Sequence, residues 1–178
     1  MVEDEPGGTA RARVAPPAGS QVVAEPPVQL ELPGGAVLAV DPVATEPGGA
    51  LALPESVHRA GWWEGSAMLG DPYGAIVIAA HVDSLADGVG PIAELLDAVP
   101  GDVVRLESVG LGQAYTISRS VLVPRTDLAV ERRALSFTGP RRLVLITCAG
   151  PFDQDQGGYR HNLVVVAEAH GPLERDGE

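Results

Sequence analysis

The chain has no lysine, one cysteine (Cys148) and no uninterrupted apolar run long enough to cross a bilayer. Each absence excludes something. A lone thiol cannot close an intrachain disulfide or build a multi-cysteine zinc site. A spanning helix needs about 20 consecutive apolar residues, and nothing here supplies them. Met1 is followed by Val2-Glu3-Asp4-Glu5 instead of a basic and then an apolar leader. Any membrane association is therefore expected to run through an anchor that this sequence does not include.

All 12 basic residues are arginine, set against 24 acidic ones, for a net charge of −12. That balance argues against nucleic acid and against an anionic membrane surface, since both attract basic patches. The missing lysine, with abundant Ala, Gly and Pro, reads as the coding bias of a GC-rich genome. At 178 residues and 45% hydrophobic content, the chain suits one domain with a substantial core.

Residues 1–27 are rich in Pro, Gly and Ala and lack periodicity, which predicts a flexible tether. The globular part is expected over 28–170, followed by a polar tail over 171–178. Residues 28–32 alternate apolar and polar as a half-buried strand does, and 36–40 form a second strand after a Pro-Gly-Gly turn. Further strands are expected at 50–53, 75–81, 103–107 and 113–123. Short helical segments are expected at 54–59, at 91–98 with Pro91 first, and at 126–135 as helix or loop. Two apolar runs, 143–147 and 163–167, finish the domain. Small residues after Thr147 predict a strand that ends at Cys148. With about eight strands, two or three short helices and no strand–helix rhythm, the pattern predicts a mainly β fold, a closed or nearly closed barrel.

Cys148 invites two readings. A buried structural thiol is the commoner role for a lone cysteine. A nucleophile needs company: a cation or imidazolium to favour thiolate, a donor for the developing oxyanion, and an acid for the leaving amine. His81, at the end of an apolar strand and just before a polar, flexible stretch, is the best-placed imidazole. His58 falls in a surface turn and His170 near the C-terminal end, while His161 competes. Neighbouring strand residues point to opposite faces, so Arg160 and His161 cannot both face one site. Arg160 is the preferred cation, with Asn162 on its face. Cys148, His81 and Arg160 together cover nucleophile, general acid and oxyanion clamp.

His81-Val82-Asp83 has the spacing of a metal-ligand pair, but no further cluster completes a site. Asp83, Asp87, Asp127 and Glu131 could hold calcium, although a solvated acidic surface is the commoner meaning of such residues. No cofactor is expected. Trp62-Trp63 reads either as a recognition platform or as core packing.

Leu145-Ile146-Thr147-Cys148, with Arg160 twelve positions later, is similar to the TLxTC motif and downstream arginine of the sortases. Ala79-Ala80-His81-Val82-Asp83-Ser84 resembles the signature of that family's class F branch. Gly61-Trp62-Trp63, Gly101-Asp102, and the segment from Cys148-Ala149-Gly150 to Tyr159-Arg160-His161-Asn162 agree in order. The resemblance covers residues 28–170. Val144 stands where the motif has its first threonine, and Ala80 where a glycine commonly precedes the histidine.

The resemblance implies an eight-stranded β-barrel cysteine transpeptidase at the outer face of a Gram-positive cell membrane. It would cleave an LPxTG-like sorting signal of a surface protein between Thr and Gly. Cys148 would form the thioacyl-enzyme, His81 would protonate the leaving group and Arg160 would hold the oxyanion. An amine of a cell-wall precursor would resolve the intermediate. Thr147, Ala80, Asn162, Trp62 and Trp63 are expected to contact substrate. Two other readings stand beside it: a non-catalytic surface barrel that binds peptide or wall material, and a cysteine endopeptidase that ends with water.

Overall fold

The computed structural model of the chain describes residues 22–155 and 157–175. Ten strands follow in order: β1 (Gln29–Glu31), β2 (Val37–Val43), β3 (Arg59–Trp63), β4 (Ala75–Ala79), β5 (Asp83–Ser84), β6 (Gly88–Val89), β7 (Val103–Glu107), β8 (Leu111–Pro124), β9 (Arg142–Asp153) and β10 (Gly158–Arg175). Eight of them close a barrel in the order β1-β2-β3-β4-β9-β10-β8-β7, while β5 and β6 make a separate small hairpin. Two short 3₁₀ segments, Pro91–Asp97 and Leu128–Glu131, complete the regular structure. The fold is the mainly β, closed eight-stranded barrel that the sequence predicts.

Two of the barrel pairings are parallel, β2 with β3 and β4 with β9. The β4–β9 pair runs from Ala75 opposite Arg142 to Ala79 opposite Ile146. These central strands read as continuous apolar runs because both of their faces are covered. Leu143, Leu145, Leu163, Val165, Ile76 and Ile78 point into the barrel with Trp62 and Tyr115. Burial pushes the Tyr115 hydroxyl up to about 12. The alternate residues Val77, Ala79, Val144, Ile146, Val164 and Val166 form a second apolar cluster on the outer face.

Two long connections cover that outer face. Leu51 and Leu53 come from the 44–58 connection, and Leu128 and Leu135 from the 125–141 connection. Gly61 lets the first lie flat: a Cβ there would sit 2.9 Å from Leu53 Cδ2 and from Val43 Cγ1 and Cγ2. The second is gathered around Arg142, whose guanidinium donates to the carbonyls of Arg133, Ala134, Ser136, Thr138 and Pro140 at 2.7–3.1 Å.

The structure corrects several boundaries. β9 does not end at Cys148 but continues to Asp153. Gly150 takes φ +80°, and a register shift between Tyr159 and His161 absorbs the extra residue on β9. The small residues mark a bulge and not a strand end. Residues 50–53 form no strand; Leu51 makes an isolated bridge with Thr45. Residues 22–27 lie against the barrel, with Glu25 bridged to Leu69 and accepting hydrogen bonds from Ser108 Oγ and the Gly110 backbone N–H. At the other end, 171–175 still pair, Glu174 opposite Gly112 and Arg175 opposite Leu111. The tether over 1–21 and the tail over 176–178 lie outside the described residues.

Candidate active site

Cys148 stands in the middle of β9, half-buried and opposite Asn162 of β10. It shares the outer face of the sheet with Val144 and Ile146, since strand side chains alternate. On the other flank, β4 runs parallel to β9. The ladder ends at the pair Ala79 with Ile146, so His81 leaves β4 two residues beyond it, as Cys148 continues β9 two residues beyond it. The residues between are fixed. The Ala80 backbone N–H donates to the Ile146 carbonyl at 3.1 Å, and the buried Thr147 hydroxyl donates to the Ala80 carbonyl at 2.9 Å. Thr147 and Ala80 therefore act on the inner side of the sheet, below the face that carries the thiol.

A groove of about 560 Å³ leads along this outer face. Its floor is Ala79 and Ile146, each two residues before His81 and Cys148, and Asn162 lines it as well. Its walls are Gly48 to Leu51 and Leu53 on one side, and Arg125, Thr126, Leu128 and Ala129 on the other. Trp63 lies deeper beneath the same connections, with its ring 5.7 Å from that of Phe137. Trp62 differs. It is 6% exposed inside the barrel, with its indole N–H on the Ala67 carbonyl, so it packs the core and offers no platform to a ligand.

A second cleft, of about 360 Å³, lies between the end of β8 and the β9–β10 turn. Arg125, Arg160, Tyr159 and Pro151 line it. Arg160 is half-exposed and ion-paired through Nε to Asp153 Oδ2 at 3.4 Å. His161 pairs with Ala149, a residue of the barrel interior, and is thus turned from the face of Cys148. His58 and His170 are exposed and far along the chain from this face.

Burial is the main influence on the Cys148 thiol and pushes its pKa up. The charge of Arg125 draws it back down, and that of Asp83 pushes it further up. Arg125 is a residue that sequence reasoning missed. Its backbone N–H donates to the Arg160 carbonyl at 3.0 Å, and its guanidinium reaches the Gly157 carbonyl at 3.5 Å. Asp83 accepts a hydrogen bond from the Tyr159 hydroxyl. Among the described residues, no three His, Cys, Asp or Glu side chains gather as a metal site would require. Of the acidic residues considered for calcium, Glu131 is ion-paired with Arg119.

Chemically, the arrangement offers a thiol on β9, an imidazole just past the end of β4, two guanidinium groups lining the second cleft and a groove over the outer face. Comparison with known proteins bears on the family and the fold. Residues 35–170 match the sequence family described as "Sortase domain". Among solved structures, sortase A of Listeria monocytogenes superposes with TM-score 0.61 at 18% identity, covering 86% of this chain and 91% of that one. Sortase E1 of Streptomyces coelicolor, solved with a tripeptide in its active site, gives TM-score 0.64 at 14% identity, covering 87% and 94%. Sortase C of Streptococcus pneumoniae gives 0.63 at 18% identity, covering 86% and 73%. Among curated proteins, none matches the chain in sequence.

Proposed function

The chain belongs to the sortase family, and on that premise we propose that it is a class F-like cysteine transpeptidase acting on an LPxTG-like sorting signal. The observation that supports the reading is the parallel β4–β9 ladder, whose last pair, Ala79 with Ile146, lies two residues before His81 and Cys148 and floors a groove. A tripeptide occupies the active site of the Streptomyces coelicolor relative, which fits a peptide in this groove.

Cys148 rests as a thiol, since burial opposes its ionisation. In the proposed reaction the imidazole of His81 takes the Sγ proton as sulfur attacks the carbonyl carbon of the substrate threonine. The S–C bond forms and the C=O electron pair moves onto oxygen. Arg160 donates to that oxyanion, a role suited to a group that never loses its charge. The C–N bond to glycine then breaks, and His81 returns the proton to the leaving amine. A thioester remains on Cys148. An amine of a cell-wall precursor attacks it, gives up a proton and releases the thiol. The apolar part of the groove, with Leu51, Leu53, Ala79, Leu128 and Ile146, suits the aliphatic part of the signal; Asn162 lines the same groove and Trp63 the smaller pocket beside it. The site of action is the outer face of a Gram-positive membrane, and the reaction needs no cofactor.

Mass spectrometry with a small LPxTG-type peptide library tests this. A thioacyl adduct is expected on the wild type and not on Cys148→Ala, with His81→Ala and Arg160→Ala strongly impaired. Absence of any adduct on the wild type would sink the reading. The raised thiol favours a second reading, a non-catalytic barrel with an inert cysteine, which predicts no reaction with a thiol reagent in the folded state. Products with and without an added amine separate transpeptidation from an endopeptidase that ends with water.

A further inference from the structure

The Tyr159 hydroxyl donates to Asp83 Oδ2 from 76 residues away. In the barrel order, β9 lies between β4 and β10. Asp83 follows His81 by two residues on the segment leaving β4, and Tyr159 is the second residue of β10. The hydrogen bond therefore crosses over the strand that carries Cys148, beyond it toward the Gly150 bulge. We propose that this Tyr159–Asp83 bridge is a positioning device for acyl transfer, clamping the His81 segment onto the thiol-bearing strand from the far side. The proposal rests on the reading of Cys148 and His81 as the reacting pair.

Three observations converge on it. First, the segment after His81 closes mainly on itself. Asp83 pairs with Val89, Ser84 with Gly88, the Gly90 backbone N–H donates to the Val82 carbonyl, and that of Asp87 to Ser84 Oγ. Ala80 is fixed by Thr147, but the ladder to β9 has ended by then. The bridge is a hydrogen bond that reaches outward from the far side of His81 to another strand of the barrel.

Second, the Tyr159 ring is itself held. It stands edge-to-face on Phe152, with centroids 5.3 Å apart and an interplanar angle of 84°. The bond to Asp83, ahead of burial, raises the phenol's pKa, so Tyr159 remains a donor throughout the neutral range.

Third, the charge of Asp83 works against the nucleophile. A carboxylate near the thiol disfavours thiolate, as the upward push on Cys148 shows. Arg125 from the end of β8 and Asp83 from the segment two residues after His81 act on the thiol, Tyr159 of β10 is near enough to feel its charge, and Arg160 beside Tyr159 is paired with Asp153 of β9. An activating role for Asp83 is thus contradicted by its sign, whereas a structural hold on Tyr159 needs an acceptor there.

The test compares Tyr159→Phe, Asp83→Ala, Asp83→Asn and the Tyr159→Phe/Asp83→Ala double variant. Tyr159→Phe and Asp83→Ala are each expected to lower kcat about tenfold with KM little changed, the scale of one lost hydrogen bond. The double variant should be no slower than the slower single one, because both changes cut the same link. Asp83→Asn keeps an acceptor and should keep most of kcat, while the pH profile of Cys148 alkylation moves to lower pH. A role in general stability alone would not move that profile. Hydrogen exchange over residues 81–90 should quicken in Tyr159→Phe, a readout independent of turnover. Unchanged exchange, or losses that multiply in the double variant, would overturn the bridge. A wild type that forms no thioacyl adduct would instead overturn the reading of the reaction, and the exchange result would still decide the bridge.

Discussion

The Thr147 hydroxyl donates to the Ala80 carbonyl at 2.9 Å, so the residue before Cys148 holds the residue before His81. Both are almost fully buried, at 3% and 2% exposure. The two groups proposed to exchange a proton are each one peptide unit from this link. A buried carbonyl without its donor is costly, which makes the link sensitive to a change of one atom.

Thr147→Val keeps the shape and removes the donor. The Ala80 carbonyl loses a buried partner, so unfolding free energy should fall by about 1–3 kcal/mol. Thr147→Ser, which retains the hydroxyl, should recover part of the loss. Denaturant melts read the first effect, and acyl-enzyme formation should follow the same order.

Alkylation of Cys148 should rise with pH to a midpoint above that of an ordinary cysteine, near 8.5, because burial favours the neutral thiol. Removing the opposing cation with Arg125→Gln should move the midpoint higher still. The sign is fixed: a nearby positive charge stabilises thiolate, and its loss favours thiol. Iodoacetamide rates across pH measure both. An Arg125→Gln profile that matches the wild type would show that Arg125 exerts no field at the sulfur.

Arg142 holds five carbonyls of the connection that walls the groove. Burial lowers its pKa, but five acceptors keep the charge satisfied. Arg142→Met should cost about 3 kcal/mol or more and open residues 126–140 to proteases. Lysine should not rescue it, since one ammonium cannot span the planar fork of contacts. Limited proteolysis with mapped cleavage sites tests the localisation of the effect.

Gly61→Ala would place a methyl 2.9 Å from Leu53 and Val43. The 44–58 connection must lift, at a cost of about 1–3 kcal/mol. The expected kinetic signature is a raised KM for peptide with a smaller change in kcat, because the groove wall moves while the thiol does not. A fall in kcat alone would place the damage elsewhere.

The β-branched runs made the barrel legible, since period-two alternation and continuous apolar stretches have few other uses. β9 runs past the end that its sequence predicts because Ala149, Gly150 and Pro151 carry the same signal for a bulge as for a strand end. Trp62 and Trp63 sit on opposite faces of β3, one in the core and one under the groove, and adjacency in sequence hides that split. Arg125 and Arg142 were not legible at all. An arginine beside polar residues reads as a solvated charge, and only the fold shows that Arg142 gathers a loop and that the charge of Arg125 bears on the thiol. The Asp83–Tyr159 contact joins residues whose partnership no local pattern encodes.

The parallel pairing of β4 with β9 also ties the site to the history of the chain. The strand that leads to His81 and the strand that carries Cys148 are separated in sequence by the hairpin, the 91–97 segment, β7, β8 and the long connection. Loop-closure entropy must be overcome across that whole interval before the two meet, as in folds dominated by non-local pairing. The pair proposed to react thus depends on a long-range pairing that no local segment can form by itself.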